Sequence, residues 1–204
     1  MKLTVLSPED EDQREQAVLC ELFAAGLSDY HLRKPSWDRS RMAAWLRSLP
    51  SAQRERVVLH THHDLAHEFA VGGLHERDVA LATEDAHAVR PHDTRILHSR
   101  AVHDLAMLGA SLNRYDRLFF SPVFPSISKP GYVASIALST LVPILTLPRR
   151  AKVFALGGIT VDRCAVCRSL GFDGVAVLGA VWHANDPVNA FRNILAAADD
   201  VHAS

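Results

Sequence analysis

Short apolar runs alternate with stretches of helical periodicity along the whole chain. Lys2–Leu6 (KLTVL), Leu27–Arg33 (LSDYHLR), Val57–His62 (VVLHTH), Gly73–His75, Arg95–Ser99 (RILHS), Arg117–Ser121 (RLFFS), Lys152–Leu156 (KVFAL) and Gly174–Leu178 (GVAVL) read as strands. Helical spacing follows over Glu11–Ala25, Asp38–Leu49, Asp64–Ala70, Val102–Leu112, Ala134–Leu145, Thr160–Leu170 and Pro187–Ala198, with Val18, Leu19 and Leu22 on the apolar face of the first. Gly26 stops that helix, and Pro35 with Ser36 breaks the chain after the second strand. The pattern is weak only over Ala80–Val89. Strands that are continuously apolar need cover on both faces, which alternating helices supply around a parallel sheet. Eight such units in series predict one single-domain (β/α)8 barrel (TIM barrel) over residues 1–204, at the small end of that fold's range. An open, doubly wound sheet is the alternative arrangement of the same element order.

The chain is 48% hydrophobic and 22% charged, with a formal net charge of −1. No broad basic field invites nucleic acid or an anionic membrane. No apolar run is long enough to span a bilayer, and the first residues carry no apolar leader core, so a cytoplasmic protein is expected. Its three cysteines fit a reducing compartment better than a disulfide framework. Cys164 and Cys167 form a CxxC without a second ligand pair at finger-like spacing, which reads as two small apolar residues on one helix. The sequence leaves room for a homo-oligomer and does not specify one.

Candidate chemistry concentrates at the ends of the last strands, where barrels build phosphate sites. Strand seven runs into Gly157-Gly158 and a helix, and strand eight into Leu178-Gly179 and further small residues. Glycines let the backbone approach an anion, and a following helix start points N–H groups at it. After strand six, Ser126, Ser128 and Lys129 lie in a turn-rich loop from Pro122 to Tyr132. Two hydroxyls on one side of extended chain, followed by an ammonium, suit a diphosphate.

These segments resemble the thiamine phosphate synthase/TenI superfamily. The PVFPSISK loop is similar to the family's PVFPTxTK, GGI matches its glycine pair, and GFDGVAVLGAV resembles GADGVAVISAI. GGLHE is similar to GVHLG. The likeness covers most of the chain and is strongest from Asp116 to Val181. It implies an enzyme of thiamine biosynthesis, a transferase joining hydroxymethylpyrimidine diphosphate to thiazole phosphate with release of pyrophosphate. It implies that Ser126, Ser128 and Lys129 contact the pyrophosphate, and that Gly158, Leu178 and Gly179 hold the thiazole phosphate. The family's QLREK stretch corresponds to His31-Leu32-Arg33-Lys34-Pro35, so Arg33 is kept, His31 stands for the Gln and Lys34 sits one position early. Phosphorylated small molecules are the implied substrates.

The match fails where the synthase holds Mg²⁺. His60 and Thr61 replace the family's Asn-Asp pair after strand three, and Ala80 stands at a second aspartate position, with Asp78 two residues earlier. Asp64 or Asp78 is the candidate replacement ligand. The TenI-like thiazole tautomerase needs no cofactor, and its general-base histidine corresponds to His103 in Arg100–Leu105, or to His98 in another register. His60 and His62, at i and i+2 on a strand, also fit the HxH of metal-dependent barrel hydrolases. Those chains are longer and carry HxH on the first strand, so His60 is assigned to the substrate pocket. A non-catalytic sensor of thiamine intermediates is a further alternative.

Overall fold

The structure, a computed structural model, describes residues 1–76, 96–125 and 137–200. Its strands are β1 (Lys2–Leu6), β2 (Tyr30–Leu32), β3 (Val57–Leu59), β4 (Gly73–Glu76), β5 (Leu97–Val102), β6 (Arg117–Phe120), β7 (Lys152–Leu156) and β8 (Gly174–Val177). All pair in parallel and in chain order, and β8 returns to β1, so the sheet is a closed barrel. The open-sheet alternative is thereby excluded.

Strand alternation sorts the apolar residues into two layers. Leu3, Val5, Tyr30, Leu32, Val57, Leu59, Leu118, Phe120, Val153, Ala155, Val175 and Val177 face the helices and join the main core. Leu6, Phe119, Phe154 and Ala176 face inward and form a separate plug inside the barrel. Below the plug, at the strand starts, Arg117 Nη1 donates to Asp29 Oδ1 at 2.5 Å and to Thr4 Oγ1 at 3.0 Å. Thr4 Oγ1 in turn donates to Asp29 at 2.7 Å. A buried charge is tolerated when it is paired and hydrogen-bonded, as here.

The helices are α1 (Glu15–Ala24), α2 (Arg39–Ser48), α3 (Ser51–Arg54), α4 (Leu65–Phe69), α5 (Leu105–Ser111), α6 (Val142–Leu145), α7 (Cys164–Ser169), α8 (Gly179–Trp182) and α9 (Pro187–Asp199). Side-chain caps mark the starts of α2, α5 and α9: Asp38 accepts from the N–H of Arg41, Asp104 from that of Met107 and Asp186 from that of Asn189. The helix expected over Ala134–Leu145 reduces, in its described part, to a 3-10 turn (Leu138–Thr140) and the one turn of α6, because Pro143 can sit only near a helix start. Thr160–Leu170 likewise opens as a 3-10 turn (Val161–Arg163) before α7. The short helices α3 and α8 were not apparent from periodicity, being too short to show one. Cys164 and Cys167 are buried free thiols on α7, and burial pushes Cys167 up to about 12, as for inert core residues. No helix among the described residues is long and apolar enough to cross a membrane.

Candidate active site

The C-terminal ends of the strands open into a cavity of about 1050 Å³. Its floor is the inner plug, with His31, His60 and His75 standing beside it at the ends of β2, β3 and β4. His31 and His75 are inward positions of β2 and β4, and His60 keeps the inward phase one residue past β3. His31 Nδ1 lies 3.0 Å from His60 Nε2, and the rings of His60 and His75 stack with centroids 4.0 Å apart. Burial first, then the neighbouring imidazoles, hold His31 and His60 well below the ordinary histidine range. Burial, reinforced by His63 and Arg33, lowers His75 to about 3. All three rings are therefore neutral at pH 7.

Hydrogen bonds set the tautomer of His75. Ser99 Oγ has one proton and donates it to the Leu74 carbonyl at 3.2 Å. It must then accept from His75 Nδ1, 3.0 Å away, which leaves the lone pair of His75 on Nε2. His31 Nε2 lies 3.6 Å from Asp29 Oδ1, beyond hydrogen-bond range, and has no hydrogen-bond partner among the described residues.

Arg33 also reaches the cavity, where it pairs with Glu9. Its backbone N–H donates to Ser7 Oγ at 2.8 Å, and Ser7 donates back to the Arg33 carbonyl, so the exits of β1 and β2 are pinned together. Lys34 corrects the sequence expectation. One residue beyond Arg33, it falls on the opposite face. Its ammonium is fully buried, 2.6 Å from Glu15 Oε2 and 3.0 Å from the Asp10 carbonyl, and it does not line the cavity.

Across the mouth, Gly157 and Gly158 both adopt positive φ, 94° and 63°. The β6 exit folds over them, with Phe124 N–H donating to the Gly157 carbonyl at 3.2 Å. A Cβ on Gly158 would collide with the Pro125 carbonyl oxygen, the Phe124 side chain and the Arg163 guanidinium. Leu178 and Gly179 line the same wall, and Gly179 opens α8, whose first N–H groups have no partner within the helix. Trp182, on α8, donates its indole N–H to the Leu6 carbonyl at 2.7 Å and so fixes α8 against β1.

His103 lines the cavity one residue before the Asp104 cap of α5. Its Nδ1 donates to the Ser121 carbonyl at 2.7 Å, which places the neutral lone pair on Nε2. His98 pairs in register with outward-facing Leu74 and does not line the cavity, so the register on His103 is the one that reaches it. Ser126, Ser128, Lys129, Asp78 and Ala80 lie outside the described residues. Sequence reasoning missed Ser99, Asp29, Trp182 and His183. The first two act through another group, Trp182 lies on a helix too short to recognise, and His183 follows that helix directly.

The residues described do not suit Mg²⁺, which requires oxygen ligands. Asp64 does not line the cavity and is bound to Arg39 at 2.6 Å on the surface. The four carboxylates that do line it, Glu9, Asp10, Glu11 and Asp12, come from the β1–α1 loop, and three of them are paired, Glu9 with Arg33, Glu11 with Arg41 and Asp12 with Arg14. The inward groups at the β2–β4 ends are imidazoles, and the carboxylate that closes β4, Glu76, accepts from Tyr115 Oη at 2.8 Å. The HxH reading also fails: β3 ends at Leu59, His62 turns to φ 52°, and its Nε2 meets the Trp37 carbonyl at 2.9 Å.

A family model described as thiamine monophosphate synthase matches residues 3–181. The thiamine-phosphate synthase of Methylobacillus flagellatus is 30% identical over 195 residues, covering 90% of this chain and 88% of its own length. That of Streptococcus suis is 24% identical over 181 residues, covering 86% and 78%. The solved thiamine phosphate pyrophosphorylase from Bacteroides thetaiotaomicron superposes with a TM-score of 0.79 at 26% identity, covering 99% of this chain and all of its own. The thiamine phosphate pyrophosphorylase from Pyrococcus furiosus shares the fold, with a TM-score of 0.77 at 22% identity. On the match across most of its length, the chain belongs to the thiamine monophosphate synthase family.

Proposed function

We propose that this protein is a thiamine-phosphate synthase acting in the cytoplasm. The thiazole nitrogen attacks the methylene carbon of hydroxymethylpyrimidine diphosphate, the carbon–oxygen bond to the diphosphate breaks, and pyrophosphate leaves. The observation that carries this reading is one cavity with an anion cradle on one wall and a cation on the other. Gly158, Leu178 and Gly179 offer backbone N–H groups to the thiazole phosphate. Arg33 stabilises the charge that develops on the departing pyrophosphate, with Ser126, Ser128 and Lys129 assigned to the same task by the PVFPSISK motif. The test supplies both substrates to the purified chain and follows thiamine phosphate and pyrophosphate together. Formation of both in equal amounts supports the reading, and binding of either substrate without turnover overturns it in favour of a sensor.

One observation favours a second reading, a thiazole tautomerase. His103 presents to the cavity with its tautomer set by Ser121, as a general base for a proton shift requires. Turnover of the thiazole carboxylate tautomer that is lost in His103→Ala, without thiamine phosphate formation, selects this reading.

A further inference from the structure

The three buried histidines at the cavity floor have a chemistry that the transferase reading does not use. We propose that His31, His60 and His75 form a three-imidazole site for a divalent transition-metal ion of the zinc class, its fourth position open to the cavity. The proposal goes beyond the transferase reading and does not depend on it.

Geometry carries the argument. One ring nitrogen from each histidine lies within 4.8 Å of the other two, and among the described residues this is the cluster that offers ligand atoms so close together. A tetrahedral ion with Zn–N bonds of about 2.0–2.1 Å needs its donors roughly 3.3 Å apart. The His31–His60 pair, at 3.0 Å, has to spread slightly, and the wider gaps close by rotation of the rings. His31 and His75 stand within β2 and β4, and His60 directly follows β3 with its N–H donating to the Leu32 carbonyl of β2 at 3.3 Å, so paired barrel backbone holds all three.

The surroundings match those of metal-binding histidines. Such histidines give their other ring N–H to a carboxylate, hydroxyl or carbonyl, which fixes the tautomer. His75 already does this through Ser99, with Nε2 left to ligate. When His31 binds through Nδ1, its proton resides on Nε2, which faces the Asp29 carboxylate at 3.6 Å. A small ring rotation turns that approach into a hydrogen bond. Imidazole donors select zinc, cobalt, nickel or copper over magnesium. Three protein ligands facing an open volume leave a position for water or a substrate donor atom.

The test uses the full chain stripped with a chelator and titrated with Co²⁺, then with Zn²⁺ in competition with a chromophoric chelator. The expected result is one ion per chain and the intense visible absorption of four-coordinate Co²⁺. His60→Ala and His75→Ala should each weaken Zn²⁺ at least 100-fold. Ser99→Ala, which removes the group orienting His75, should weaken it about 10-fold. His67→Ala on α4 should leave affinity unchanged. A six-coordinate Co²⁺ spectrum in the unmodified chain overturns the proposal, as does Zn²⁺ affinity that survives loss of His60 and His75. The Co²⁺ spectrum needs no variant, so a substitution that fails to fold does not remove the test.

Discussion

At position 158 the backbone sits at φ 63° and a side chain has no space, because the Pro125 carbonyl and Phe124 occupy it. Gly158→Ala must therefore strain the turn or push the β6 exit away from the anion wall. A strained position of this kind costs about 1–3 kcal/mol. We expect urea denaturation to show a loss of that size and the KM for thiazole phosphate to rise at least tenfold, with KM for the diphosphate substrate little changed. Equal loss on both substrates would mean that the turn supports the whole mouth rather than one phosphate. This residue was legible in the sequence, since a glycine pair between an apolar strand and a helix signals close backbone approach. The three imidazoles were legible only as separate residues. His31 lies far from His60 and His75 in sequence, and only the side-by-side pairing of β2 with β3 and of β3 with β4 brings their rings together.

Among the elements, β2 shows how a single position changes a role. Inward and outward residues alternate, so Arg33 enters the cavity and Lys34 enters the layer between β2 and α1. There it meets Glu15, which also accepts from Tyr30 Oη at 2.7 Å. Burial raises the Glu15 pKa against the opposing pull of Lys34 and Tyr30. Removing one member of a buried pair costs about 3–5 kcal/mol, whereas replacing both with apolar groups is often neutral. Lys34→Met should therefore lower stability by about 3 kcal/mol, Lys34→Met with Glu15→Leu should recover most of it, and kcat/KM of the folded fraction should stay unchanged. A chemical role for Lys34 would instead cut kcat/KM in the stable double variant. Alternation within β2 was available from sequence, but the exit of a three-residue strand is too short for its phase to be read. Asp173 ties the entry of β8 to β7. Although burial raises its pKa, the Val153 N–H, Arg149 and Lys152 outweigh that and hold it low. A depressed carboxylate stabilises above its unfolded pKa of about 3.9 and loses that contribution as pH falls through the folded value. Asp173→Asn should be less stable by about 2 kcal/mol at pH 7, and urea melts should show the gap closing as pH falls below the unfolded value and through the lower folded one.

For the whole molecule, closure of the barrel decides how it fails. The strand ring has no edge, and the buried triad of Thr4, Asp29 and Arg117 spans its interior from β1 and the entry of β2 to β6. Arg117 also lies over the Phe154 ring at 4.4 Å, so it joins the polar base to the plug on which the histidines rest. Arg117→Met leaves the Asp29 carboxylate inside the barrel without its cation, a change costing about 3–5 kcal/mol. The loss cannot be confined to one strand, because each strand closes the ring for the others. Far-UV and near-UV circular dichroism should therefore move to the same lower urea midpoint with an unchanged m-value. Asp29→Leu combined with Arg117→Met should regain stability, because neither charge then remains buried. Non-coincident transitions in Arg117→Met would show instead that the histidine end of the barrel unfolds apart from the rest. The N-terminal base would then stabilise the strand starts without supporting the site above it.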